Sequence, residues 1–389
     1  MDAEKVDGDR RLPFGLPGVN KSKKVSNGNY LWISYFYSYL NERGRAGFVM
    51  SSQASSAGGD QAKVRQKLIE TGDVELMIAI RSNFFYTRSV PCELWFFNRA
   101  KPKQMDDKVL MIDARQIYRK VTRKIYDFTP EQLQNIVSIV WLYRGESERF
   151  LTLVQGYLTQ MLEEGNLCNR VLSDYQEAIS SFQQIVEPFL SPPLLKQAGL
   201  KDQDDVWEEF WQTCKTFKVE SEAFTHQCLS LESPKMQITA LNLFIKKVQP
   251  LAETSRDLVK QADLVYKLAG RLLDHCETDL AAKSSDFWNS REVKNSLKEL
   301  DNFRQFVVKQ LKQVRYFFRQ ADWLMMRFPD AQLQDIEGLV KLVARQELEA
   351  NDWSLTPGRY VGVAPEEVDE DFDFEEASIS EVLNVSEKT

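Results

Sequence analysis

Three consecutive aromatic residues, Phe84, Phe85 and Tyr86, follow Asn83 inside a ten-residue stretch, Arg81–Val90, that separates two apolar runs. Rings presented on a loop can stack on a flat heterocycle, and a base lifted out of a helix is such a partner. The same rings can instead plug the edge of a sheet. Downstream, the interval Arg99–Lys124 holds nine Lys or Arg against Asp106, Asp107 and Asp113. Arg99, Lys101, Lys103, Arg119, Lys120, Arg123 and Lys124 are therefore candidates for contacts to phosphate, with a solvated basic face as the plain alternative. His226 and His275 lie in helical pattern without metal-like spacing. Cys92, Cys168, Cys214, Cys228 and Cys276 are scattered, with no CxxC pair. This usage suits free buried thiols in a reducing cytoplasm and predicts no metal site.

The chain of 389 residues has a formal charge of −7, which does not suggest a generic nucleic-acid binder. Its charge is uneven. Eight of the eleven residues from Glu366 to Glu376 are acidic, which predicts a solvated, disordered tail. No apolar run approaches membrane-spanning length, and no internal repeat is visible.

The elements that must carry these residues begin after a Gly- and Pro-rich stretch over 1–28. Asn29–Glu42 reads as a helix with Trp32, Phe36 and Leu40 spaced by four, an aromatic stripe expected to face a sheet, and Gly44 as its stop. Ala46–Met50 reads as a buried parallel strand, with the small polar loop Ser51–Gly59 at its carboxyl end. Asp60 is expected to cap Ala62–Thr71, whose inner face is Val64 and Leu68, and Gly72 ends it. Val74–Ile80 and Pro91–Phe97 are read as an antiparallel pair at the sheet edge, with Val109–Asp113 as a further strand. Thr129-Pro130-Glu131-Gln132 has the pattern of a capping box. Beyond it the chain reads as helices. Pro192-Pro193 marks a linker. Leu300, Val307, Val314 and Ala321 recur every seven residues, with Leu311, Phe318 and Met325 between, the seam of a helical hairpin or coiled coil over Glu292–Met326. Ala331–Glu349 is read as a further helix.

Several segments resemble, in order, the modification (methyltransferase) subunit of type I restriction–modification systems. They are Trp32–Leu40, Gly44–Met50, Val64–Glu70, Asn83–Tyr86 with Val90–Cys92 and Leu94–Phe97, Val109–Arg115, and Asn351-Asp352 with Leu355–Val361. The resemblance covers 9–145 and 346–375. It implies an α/β part followed by a mostly α part. The first would be a truncated, Rossmann-like methyltransferase sheet over 1–125 with an antiparallel edge pair. A helical extension over 126–200, a helical bundle over 201–350 and a signature segment with acidic tail over 351–389 would follow.

The resemblance also implies methyl transfer from S-adenosylmethionine to the exocyclic amine of adenine in DNA, on a base flipped from the duplex. Phe84, Phe85 and Tyr86 stand where the family places an aromatic against that base. The implied partners are DNA, a specificity subunit and a restriction subunit. The family's Gly-rich cofactor loop and its Asn-Pro-Pro-Phe tetrapeptide have no counterpart in this sequence. No catalytic and no cofactor-binding residue is therefore assigned, and the chain is expected to begin just past the catalytic motif. One reading is a methyltransferase part that needs a separate N-terminal half. Another is a non-catalytic docking module that uses its C-terminal helices. A third is a remnant without function.

Overall fold

The computed structural model describes residues 2–85, 89–189, 203–228, 237–278 and 282–363. Tyr86, the Pro192-Pro193 linker and the acidic Glu366–Glu376 segment lie outside them, as do the side chains of His226 and Cys228. The chain divides into two compact units, Met1–Tyr143 with Leu333–Thr389, and Arg144–Gln332.

The first unit is built on a mixed five-stranded sheet. Its strands are β1 (Arg45–Ser51), β2 (Val74–Ile80), β3 (Cys92–Asn98), β4 (Lys108–Asp113) and β7 (Val340–Ala344), in the order β1-β3-β2-β4-β7. A separate two-stranded hairpin joins β5 (Arg119–Lys120) to β6 (Tyr126–Asp127). Every residue of β2 is buried, as its nearly unbroken apolar run requires at the centre of a sheet. β2 and β3 are antiparallel, as their sequences suggest, while β2 and β4 are parallel. One face of the sheet presents Met77, Trp95, Phe97 and Met111 to helices α1 (Asn29–Ser38) and α3 (Asp60–Glu70) and to residues 348–361. Gly72 stops α3 in the left-handed region, at φ +84°.

Several expectations fail here. β2 and β3 pair antiparallel, but inside the sheet, between β1 and β4, and not at its edge. Asp60 does not cap α3: it is the first residue of the helix, Gly59 holds the cap position, and no side chain bonds there. Ala46–Met50 is not a buried parallel strand: β1 runs antiparallel to β3 and is the sheet's outer strand, half-exposed along its length. Its apolar run reads like a central strand because both its faces carry apolar residues. The aromatic stripe of α1 meets the sheet only in part: Phe36 packs on Phe48 of β1 at 4.6 Å and Leu40 touches the core. Trp32 is 60% exposed and Tyr39 72%, whereas Tyr30, Leu31, Ile33 and Ser34 are buried. The helix rotates so that Tyr30 and Ile33 reach the core, and it ends at Ser38. Ala331–Glu349 is not one helix. It gives β7, paired antiparallel to β4, and the short helix α9 (Arg345–Ala350). The β-branched Val340 and Val343 gain more by extending the sheet than local helical pattern offers.

The capping box is present. Thr129 N–H donates to Gln132 Oε1 at 3.0 Å, and Gln132 N–H to Thr129 Oγ1 at 3.2 Å, at the start of α4 (Pro130–Tyr143).

The second unit is all helix: α5 (Ser147–Val186), α6 (Gln203–Cys228), α7 (Gln237–Thr278) and α8 (Ser290–Arg327). All seven seam residues named from the heptad, Leu300 to Met325, are buried, and α8 packs on α5 and α7. The architecture is therefore α/β followed by mostly α.

Candidate nucleic-acid interface

At the carboxyl end of β2 the chain turns through Asn83, whose φ of +62° suits Asn better than most residues. The turn rests on the β5–β6 hairpin. Tyr126 N–H donates to the Asn83 carbonyl at 3.1 Å. The Arg81 guanidinium lies 4.3 Å from the Tyr118 ring centre and 4.5 Å from that of Tyr126, and the two rings meet edge to face. Phe84 packs on Phe128 at 4.4 Å. Phe85 remains 39% exposed. A cation flanked by two rings is an anchor, and here it fixes the base of the aromatic turn.

The hairpin is closed by a two-pronged ion pair, Arg119 Nε to Asp127 Oδ1 at 2.8 Å and Nη2 to Oδ2 at 2.6 Å. Gln132 of the capping box donates to the Tyr118 carbonyl at 2.9 Å, which ties the hairpin to α4. Lys120, Arg123 and Lys124 are exposed on the hairpin and its turn. Aromatic turn and basic hairpin thus form one surface.

The upstream basic residues divide differently. Lys103 is exposed. Arg99 donates to the Leu40 carbonyl at 2.7 Å and lies 3.7 Å from Asp73. Lys101 is not a surface cation. It is buried, and its ammonium donates to the carbonyls of Gly72, Val74 and Lys108. Burial pushes its pKa down to about 8. It closes the turn ahead of β2, a role its basic neighbours disguise in the sequence.

A second cluster lies under the strand ends. Glu93 of β3 and Asp113 of β4 both sit opposite Ala79 of β2, so the two carboxyl groups share a face. Asp113 holds Arg115, Nε to Oδ1 at 2.8 Å. Glu93 is 1% exposed, its Oε2 lacks a partner, and burial pushes its pKa up to about 8. Ser55 Oγ and Thr356 Oγ1 lie 2.7 Å apart. A Cβ on Gly358 would meet Arg115 Nη2 at 2.6 Å, so a larger residue there would displace the Arg115 guanidinium.

The segment 352–356 is held by Arg65, itself 1% exposed. Its guanidinium donates to the carbonyls of Trp353 (2.6 Å), Asp352 (3.2 Å) and Ala57 (2.8 Å) and to the Tyr30 hydroxyl (3.0 Å). Asp352 and Trp353 both have positive φ, a strained arrangement for consecutive non-glycine residues.

No local signal in the sequence marks Arg81, Tyr118, Tyr126, Phe128, Glu93 or Arg65. Tyr118 and Tyr126 flank the basic run, but only the hairpin brings them onto Arg81. Gly58 and Gly59 follow β1, Gly59 at φ +64°, and a Cβ at either would meet open space. Among the described residues no cluster of His, Cys, Asp and Glu could hold a metal ion, and no helix is long and apolar enough to cross a membrane.

Four of the sheet's five strands and the aromatic turn fall within residues 5–156, which match the N-6 DNA methylase family. The chain also resembles methylase subunits of type I restriction enzymes. It is 36% identical over 144 residues to the type I restriction enzyme MjaIX methylase subunit of Methanocaldococcus jannaschii, covering 36% of this chain and 25% of that protein. It is 28% identical over 134 residues to the HindI methylase subunit of Haemophilus influenzae, covering 34% and 28%. The crystal structure of a type I restriction–modification methyltransferase subunit from Streptococcus thermophilus aligns with 20% identity and a TM-score of 0.30, over 35% of this chain and 27% of that one. The chain thus spans about a quarter of the length of the curated relatives it matches.

Proposed function

We propose that this chain is the base-supporting part of an adenine-specific DNA methyltransferase of the type I restriction–modification kind. The observation that carries this reading is the joined surface of Asn83–Phe85 and the β5–β6 hairpin. It sets an exposed ring beside exposed cations at the carboxyl end of β2. A ring offers a face to an unstacked adenine, and cations neutralise the flanking phosphates. Phe85, Phe84 and Tyr86 are the stacking set, and Lys103, Arg119, Lys120, Arg123 and Lys124 the phosphate set, with Arg99 at its margin. Arg81 positions the turn.

Methyl transfer itself needs groups that these residues do not supply. When bound, S-adenosylmethionine donates the methyl group. Its site, and the groups that hold the adenine amine, belong to a separate methyltransferase half in this reading. Specificity and restriction subunits complete the assembly. The test is transfer of a labelled methyl group from S-adenosylmethionine to an adenine-containing duplex. The purified chain is expected to bind the DNA and transfer nothing. Methylation by the chain alone would overturn the assignment.

A second reading is a docking module for specificity or restriction subunits. It draws on apolar residues exposed along the helical unit, Leu167 (57%), Val219 (61%), Leu243 (55%) and Phe306 (65%). Co-purification with a specificity subunit, lost on substituting these four residues but kept on substituting Phe85, would favour it.

A further inference from the structure

Residues 352–358 cross the carboxyl ends of β2 and β4. The short 3-10 turn Pro357–Arg359 packs on both strands. A Cβ on Gly358 would lie 3.3 Å from Asp113 Oδ2, and Thr356 Oγ1 lies 2.7 Å from Ser55 Oγ. One end of the segment is rooted: Tyr360 and Val361 are buried, and the Val361 carbonyl accepts from Gly338 N–H. The other end is strained. Asp352 and Trp353 sit at φ +54° and +56°, a backbone that non-glycine residues keep only where their surroundings impose it, and here Arg65 holds both carbonyls.

Glu93 lies beside this crossing, with the Ser55 hydroxyl in its reach. Ser55 has one proton to give. The Ser52 carbonyl takes it at 2.8 Å, and Thr356 stands on the same oxygen. A neutral Glu93 fits, because its own proton can go to Ser55 Oγ. An ionised Glu93 would need the Ser55 proton, and the Ser52 carbonyl would lose its donor. The neighbouring cations are already engaged. Arg65 of α3 serves carbonyls and the Tyr30 hydroxyl, and Arg115 is forked onto Asp113 of β4. Tyr30 of α1 and Cys92 of β3, both pushed up by burial, stay neutral and bring no positive charge. The charged residues of the segment and its turn, Asp352 and Arg359, are exposed. Glu93 Oε2 is unbonded among the described residues, so a charge there has no partner inside the fold.

We propose that residues 352–358 are a strap whose opening is coupled to loss of the Glu93 proton. Closed, the strap covers a neutral acid. Open, it gives the carboxylate to water, the proton leaves to solvent, and the carboxyl ends of β2 and β4 are bared, where open α/β sheets hold their ligands. The hinge is Asp352–Trp353, whose strain opening relieves. Opening is a minor local excursion of the folded unit. Glu93 keeps its proton up to about pH 8 in the closed form and releases it above about 4.5 in water. The open fraction therefore grows with pH between those values, by at most about tenfold per unit, and levels off above them. The inference stands apart from the proposed methyltransferase role, because it uses only the fold.

The test is hydrogen–deuterium exchange of the full chain from about pH 5.5 to 7.5, with Glu93→Gln alongside. Peptides spanning 352–358 are compared with peptides from β2 and α8, each corrected for the intrinsic pH dependence of amide exchange. The strap's protection is expected to fall by up to about tenfold per pH unit and to stay below that of β2, while α8 keeps its protection. Glu93→Gln, neutral at every pH, should flatten the strap's profile. Strap protection that does not change with pH in the wild type would overturn the proposal. So would the same decline in Glu93→Gln, or strap protection equal to that of β2, which would mean that the whole unit opens together. Where Glu93→Gln fails to fold, the wild-type comparison of strap, β2 and α8 still decides.

Discussion

Arg65 and Trp353 are 288 residues apart in the chain, and the Arg65 Nε donates to the Trp353 carbonyl at 2.6 Å. The same guanidinium reaches the loop after β1, so one buried cation ties residues 54–57 to residues 352–353. Neutral carbonyls are its partners, and they lose their donor together if it goes. Arg65→Met is expected to destabilise the first unit by about 2–4 kcal/mol, since each orphaned buried acceptor costs about 1–3 kcal/mol. Urea unfolding followed by tryptophan fluorescence checks this. A loss below about 0.5 kcal/mol, the range of ordinary surface substitutions, would mean that the clasp is incidental.

Glu93 makes stability depend on pH in a direction opposite to most carboxylates. Its pKa is raised from 4.5 to about 8 in the fold, chiefly by burial. The folded state keeps the proton, while the unfolded chain releases it above its ordinary range. The contribution is therefore fully present below pH 4.5 and is lost as pH rises through about 8. Glu93→Gln is expected to remove that decline, which for one group is at most about 1.4 kcal/mol per pH unit. Thermal unfolding of both proteins between pH 5 and pH 9 gives the comparison. Parallel profiles would refute a buried neutral acid at this position.

The basic hairpin makes a prediction in salt. If Lys120, Arg123 and Lys124 each neutralise a phosphate, replacing all three with alanine lowers the slope of log K against log salt by about 2, at roughly 0.7 per contact on single strands. Fluorescence anisotropy with a labelled oligonucleotide measures it. An unchanged slope would return these residues to the role of a solvated face. Lys101→Met is the matched control: it should leave the slope alone and lower stability, because that ammonium is bound to three carbonyls inside the protein.

Much of this architecture was legible in the chain. The apolar run of β2, the Gly72 stop, the Thr129–Gln132 box and the heptad of α8 are local signals, and each element formed where its signal stood. What stayed hidden is set by distant partners. Trp32 looked like core because spacing by four marks a helix face without saying which face the sheet takes. β7 looked helical because its pairing with β4 joins residues more than 200 positions apart. In the site, the aromatic turn and the basic run were each visible. Their union was not, since it depends on Arg81 reaching Tyr118 and Tyr126 across a hairpin of two-residue strands. Lys101 shows the converse error: charge type alone placed on the surface a side chain that tertiary packing draws inside.

On the proposed function, the aromatic turn accepts an unstacked adenine. The most direct measurement places 2-aminopurine at a single unpaired position in a DNA duplex and follows its fluorescence as the chain is added. Stacking on Phe85 is expected to quench the signal on binding. Phe85→Ala should abolish the quench while leaving the salt slope of binding unchanged. Arg81→Met should weaken it, through loss of the pair of ring contacts that fix the turn. A quench that persists in Phe85→Ala, or binding by the wild-type chain with no change in fluorescence, would contradict the account.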